Sequence, residues 1–184
     1  VAALVGALGA ALSGMVCNLT TGKKKYAQYE DDIQRIMRDA EGLKEKLMAM
    51  IDQDAENFLP LSKAYGLPSA TEEEKKSKEE TLQAALKVAM GVPVQIVRVG
   101  YEAVKLHEEL VDKGSKLAIS DVGVGVQCLR AAVISGWLNV VININMIKDE
   151  EYVDKIKKEL IPLVEESTRI CDTVYEKVIN ILNS

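Results

Sequence analysis

The sequence predicts an all-α fold: a single-domain bundle of long, mostly antiparallel helices packed around a central Ala- and Gly-rich helix. Three observations carry this. Apolar residues recur at helical spacing through most of the 184 residues. Hydrophobic residues make up 48% of the chain but aromatics only 4%, so the core must be built from Ala, Val, Leu, Ile and Met, which suits close helix packing. The one β-branched run that could read as a strand, Val140 to Ile144, has no partner strand elsewhere.

The central helix is the opening segment, Val1 to Tyr26. Its first nineteen residues carry no charged side chain, and small residues recur four apart as Ala3, Ala7, Ala11 and as Ala2, Gly6, Ala10, Gly14. On a helix this gives two flat ridges that neighbouring helices can approach closely. The cationic turn Gly22-Lys23-Lys24-Lys25 marks where it surfaces. A membrane span needs about 20 strongly apolar residues, and this segment is instead rich in Ala and Gly, with Ser13 and Asn18. No basic start precedes it as in a signal peptide. Beginning on Val1, the chain is expected to be the remainder of a longer N-terminus.

A second helical pattern runs from Tyr29 to Tyr65. Its heptad positions read Ile33, Ala40, Leu47, Asp54, Leu61 in one register and Ile36, Leu43, Met50, Asn57 in the other. Asp54 and Asn57 therefore fall on the face that their neighbours bury. A carboxylate there either pairs with a lysine near the helix end or does chemistry. After the connector Gly66 to Ser69, Thr71 and Glu74 form a capping box that starts the next helix. The charge run Glu72 to Glu80 is its solvated first turns, Gly91 and Pro93 are expected to break or bend it, and Gly114 ends it.

The stretch Leu117 to Ile147 has only Asp121 and Arg130 ionisable. Ser120 is the expected N-cap, with Asp121 in the first turn, where the helix dipole favours an anion. Asp121, Gly125, Cys128, Ala132, Gly136, Asn139 and Asn143 share one small or polar stripe. Asp121 and Asn139 are roughly 27 Å apart at the standard helical rise, too far to serve one reacting centre in a single chain. Either the asparagines serve packing or a subunit interface, or a dimer brings one chain's asparagines near the other's aspartate. The last helix, Asp149 to Asn183, presents Val153, Ile156, Leu160, Val164, Ile170, Val174, Val178 and Ile181 inward and is a packing element, with a kink expected at Pro162.

Several chemistries are excluded. A net charge of −5 argues against general nucleic-acid binding. Cys17, Cys128 and Cys171 are far apart in apolar surroundings, so neither a disulfide framework nor a CxxC site is readable, and a reducing cytoplasm is the expected setting. Cys17 and Lys24 stand where a P-loop ending in Gly22-Lys23 needs Gly and Ser or Thr. The single histidine, His107, is read as a partly exposed surface residue; a zinc site or Ser-His-Asp triad is not expected.

Five motifs, in order, point further: VAALVGALGAALSGMV at the start, GKKKY at Gly22 to Tyr26, IDQDAENF at Ile51 to Phe58, SDVGVG at Ser120 to Gly125 and NVVININ at Asn139 to Asn145. With them the chain resembles the formiminotransferase-cyclodeaminase C-terminal domain family over nearly its whole length. The resemblance implies an all-helical homodimer acting on a tetrahydrofolate derivative, possibly bearing several glutamates in its tail, with no metal or other cofactor and neither nucleic acid nor membrane as partner. The reaction is expected to be formiminotetrahydrofolate cyclodeamination, with methenyltetrahydrofolate cyclohydrolysis as the alternative; a non-catalytic helical scaffold is the rival of another class. The family's glycine-rich stretch before the VAAL motif is missing here. The resemblance implies that Asp54, raised toward neutrality in an apolar pocket, is the acid-base group. Asp121 stays ionised and holds the pterin edge or a cationic intermediate, and Tyr26 pairs with a lysine in proton transfer. Lys23, Lys24 and Lys25 attract the glutamate tail or are plain solvated surface. Asn57, Ser120, Asn139 and Asn143 contact substrate, the last two across a dimer interface.

Overall fold

Five α-helices and two short 3-10 segments make up the computed structural model, which describes all residues from Val1 to Ser184. They are α1 (Ala2–Asn18), a 3-10 segment Lys24–Tyr29, α2 (Glu30–Tyr65), α3 (Glu72–Lys113), a 3-10 segment Lys116–Ala118, α4 (Ile119–Ile144) and α5 (Glu150–Leu182). The α3 start is the expected capping box, with Thr71 and Glu74 exchanging hydrogen bonds. Helix α5 begins where Asp149 accepts from the Tyr152 N–H at 3.0 Å. Gly91 and Pro93 do not break α3, and α5 runs on through Pro162. Ser120 is not an N-cap: the 3-10 segment delivers the chain into α4 two residues earlier, so Ala118 takes that position and Ser120 lies exposed in the first turn.

α1 is the spine. Its small residues Ala2, Ala3, Gly6, Ala7, Gly9 and Ala10 are buried, and α1 runs antiparallel to α4, Gly6 facing Ala132 and Gly9 facing Leu129. Its start packs on Leu47, Met50, Val92 and Ile96, whereas its end packs on Ile33, Ile36 and Leu110. A third core cluster, around Leu86, Met90, Val140 and Leu160, joins α3, α4 and α5. α3 and α4 are each long and apolar enough to cross a membrane by length and composition alone, yet both supply buried core here. Arg98 grips Glu159 with two hydrogen bonds, 2.5 and 2.8 Å, tying α3 to α5.

The tightest crossing holds His107, which is wholly buried rather than surface-exposed. Its LHEEL context places it on the charged side of α3, but Gly125 removes a side chain from α4 at that height and lets the ring turn inward. Nδ1 lies 3.2 Å from the Ala103 carbonyl and 3.1 Å from Ser13 Oγ. The carbonyl can only accept, so Nδ1 carries the proton. Burial lowers the imidazole pKa to about 4 from its ordinary 6.5. An unfolded histidine takes up its proton below about 6.5, and the folded one resists until about 4, so stability is full above the first value and falls as pH drops toward the second. Wild type is expected to lose about 2 kcal/mol more than a His107→Asn variant between pH 7 and pH 5. Denaturant titrations at the two pH values check this.

Candidate active site

The second half of α2 and the end of α4 stand side by side over α3 and leave a cleft of about 350 Å³. Ile51, Asp54, Phe58, Leu61 and Tyr65, successive turns of one α2 face, form one wall. Asn139, Ile142 and Asn143 of α4, with Met146 in the turn that follows, form the other, and Ala89 and Pro93 of α3 lie beneath. Pro93 has no N–H, so the Ala89 carbonyl loses its helical donor at the cleft.

Two α3 side chains hold the ends of both walls. Lys78 Nζ donates to the carbonyls of Tyr65 and Leu67 at 2.9 and 2.8 Å, fixing the end of α2. Gln83 donates to the Met146 carbonyl at 2.9 Å and accepts from the Lys148 N–H at 2.8 Å, fixing the turn after α4. The asparagines are oriented by their own helix: Asn139 Nδ2 donates to the Ser135 carbonyl at 2.8 Å and Asn143 Nδ2 to the Asn139 carbonyl at 2.7 Å. Their amide oxygens remain available as acceptors.

Asp54 is the cleft's only carboxylate, and no Lys, Arg or His lines it. The heptad count placed Asp54 on a buried face; in the chain it is exposed. Between Met50 and Leu61 the α2 stripe lines the cleft instead of packing on a helix, which leaves Phe58 52% exposed; Leu61 and Ala64 beyond it are buried again. Asn57 is half-buried and lies outside the lining of the cleft.

The remaining expected site residues gather at the opposite end of the bundle. α2 extends roughly 36 Å from Glu30 to Asp54, and Lys23, Lys24 and Lys25 lie just before its start, all exposed. Gly22 adopts the left-handed φ of 71° that lets the chain reverse here, and its N–H donates to Glu30 Oε2 at 2.9 Å. Tyr26 is buried and its hydroxyl accepts from the Lys116 N–H at 2.9 Å, which clamps the lysine turn to the lead-in of α4 and hence to Ser120 and the half-buried Asp121. That hydrogen bond, helped by the ammonium groups of Lys25 and Lys116, lowers the phenol pKa. A single chain therefore brings Asp54, Asn139 and Asn143 together, and Tyr26, the lysines, Ser120 and Asp121 together, but does not join the two groups.

Phe58, Tyr65, Ile142 and Met146 escaped the sequence reading, although the apolar stripe continuing past Asp54 and the alternation in NVVININ were visible signals. Lys78 and Gln83 left none, because their partners are backbone groups distant in sequence.

Residues 1–161 match the formiminotransferase-cyclodeaminase family. A methenyltetrahydrofolate cyclohydrolase from Methylorubrum extorquens is 42% identical over 177 residues, covering 96% of this chain and 85% of that protein. The formimidoyltransferase-cyclodeaminase of Gallus gallus is 32% identical over 170 residues; the match takes in 91% of this chain but only 31% of the longer bird protein. The crystal structure of formiminotetrahydrofolate cyclodeaminase from Thermotoga maritima superposes with a TM-score of 0.78 at 31% identity, covering 99% of this chain and 85% of that one.

Proposed function

The chain belongs to the formiminotransferase-cyclodeaminase family, and from that premise we propose that it is a folate one-carbon enzyme whose acid-base group is Asp54. The observation that carries the reading is the cleft, which one carboxylate and two asparagines line between otherwise apolar walls. In cyclohydrolysis Asp54 takes a proton from water as its oxygen bonds to the methenyl carbon. The proton then goes to the departing ring nitrogen as the C–N bond breaks, and the remaining hydroxyl proton passes to solvent as the formyl C=O forms. In cyclodeamination Asp54 takes the N10 proton as N10 attacks the carbon of the protonated formimino group, and returns it to the resulting amine, which leaves as ammonia to give the methenyl cation. Both pass through a tetrahedral carbon and need the same proton shuttle. The 42% identity to the M. extorquens protein favours cyclohydrolysis; the likeness to the T. maritima structure supports cyclodeamination as the second reading. Absorbance of 5,10-methenyltetrahydrofolate separates them: enzyme-dependent loss means hydrolysis, growth from 5-formiminotetrahydrofolate means deamination, and neither rejects the proposal.

The same reading makes the enzyme a homodimer. α1 exposes Leu4, Leu8 and Met15, and its neighbour α4 exposes Val124, Leu138 and Ile142, large apolar side chains that one chain does not cover. An antiparallel α4 pairing about Ala131 sets Val124 opposite Leu138. It also brings the partner's Asp121 opposite Val141, between Asn139 and Asn143, and the lysine turn with it. Each cleft would then be completed by the other subunit's carboxylate and cations. Leu138→Arg, placing a charge at that face, is expected to halve the mass in sedimentation velocity and remove turnover; an unchanged dimer mass would place the interface elsewhere.

A further inference from the structure

We propose that Phe58 and Tyr65 form an aromatic seat for the flat pyrimidine half of a reduced pterin, a specificity role that rests on the folate reading above. The chain has a single phenylalanine, and it is 52% exposed; Tyr65, two turns further along the same α2 face, is 46% exposed. Both rings line the cleft that Asp54 opens into. The Tyr65 hydroxyl donates only to the Met146 thioether sulfur at 3.6 Å, a weak acceptor, so the ring leans across to the α4 wall and closes that end.

The dimensions suit a ring and not a whole folate. A volume of about 350 Å³ is at the small end of the range for small-molecule sites, about 300–1,000 Å³. The p-aminobenzoyl and glutamate parts must therefore lie outside, toward where the dimer would bring lysines. The chemistry of the walls fits as well. With the asparagine Nδ2 groups committed to helix carbonyls, Oδ1 of Asn139 and of Asn143 can accept from the N–H edge of a pterin. The face of the same ring would rest on Phe58, one turn from Asp54, which sets the one-carbon end of the ligand beside the carboxylate. Stacking on an aromatic side chain and acceptors at the edge together demand a planar ligand rich in N–H donors. An aliphatic metabolite would use neither feature.

The test uses the full chain and calorimetry with tetrahydrofolate. Phe58→Leu keeps apolar bulk and removes the ring; it is expected to weaken binding about tenfold, the low end of what aromatic stacking contributes. Phe58→Tyr, which keeps a ring, is expected to bind as wild type does. Tyr65→Leu is expected to weaken binding by a smaller factor and Tyr65→Phe not at all. In the assay the Leu variants should raise KM with little change in kcat, because Asp54 is untouched. Unchanged affinity in both Leu variants overturns the seat. So does a loss of affinity that tracks a fall in sedimentation mass, since the rings would then belong to a subunit interface. If wild type binds no tetrahydrofolate while keeping its fold and mass, the folate reading itself fails.

Discussion

Asp54→Asn is expected to cut turnover by about 10²- to 10⁴-fold, the usual contribution of a positioned acid-base group, while leaving the fold and tetrahydrofolate binding intact. The substitution keeps the shape and one acceptor oxygen, turns the other oxygen into an NH2 donor, and removes the base. It is mild for the fold because Asp54 is exposed; stability should stay within about 0.5 kcal/mol of wild type. Turnover by methenyl absorbance, read beside a thermal melt and a tetrahydrofolate titration, checks all three parts. A variant that turns over normally would remove Asp54 from the chemistry whatever binds in the cleft.

The second large effect lies in the core. Gly125→Ala places a Cβ 2.2 Å from His107 Nε2, a distance no atoms can share. The ring cannot retreat, being held between Ser13 and the Ala103 carbonyl at the crossing of α1, α3 and α4. Nor can α4 move away freely, since Gly9 on α1 already meets Leu129 and the Gly125 carbonyl at the same height. Overpacking of this kind costs about 3 kcal/mol or more, which for a chain of this size lowers Tm by roughly 10 °C. Adding His107→Ala makes room for the new methyl. The double variant is expected to be more stable than Gly125→Ala alone, a coupling that thermal melts of the two single variants and the double one would measure. Equal stability of Gly125→Ala and wild type would mean that the three-helix crossing is looser than these distances imply.

Much of the fold is legible in the residues. The alanine and glycine ridges of α1, the capping box at Thr71 and the inner stripe of α5 each follow from local spacing, and local spacing is what a helix obeys. What escapes is anything set by a neighbour. His107 looks like a surface residue until Gly125, eighteen positions away, opens a slot for it. Asp54 obeys a heptad count that buries Leu47 before it and Leu61 after it, but at its own height the neighbouring helices leave a gap, so a position that reads as core becomes the wall of a cleft. The motif residues on α4 are individually recognisable, yet their roughly 27 Å separation is resolved only by seeing that Asn139 and Asn143 line one cleft with Asp54 while Asp121 lies at the other end of α4, whose lead-in Tyr26 holds through Lys116.

Whether the two half-sites combine across a dimer is measured directly by subunit complementation. Asp54→Asn and Asp121→Asn chains, each inactive alone, would be mixed, unfolded and refolded together. In an isologous pair each mixed dimer regains one intact site of two, so about a quarter of wild-type turnover should return in an equal mixture. A refolded mixture with the native dimer mass that stays as inactive as its parents would show that Asp54 and Asp121 do not serve one site across the interface.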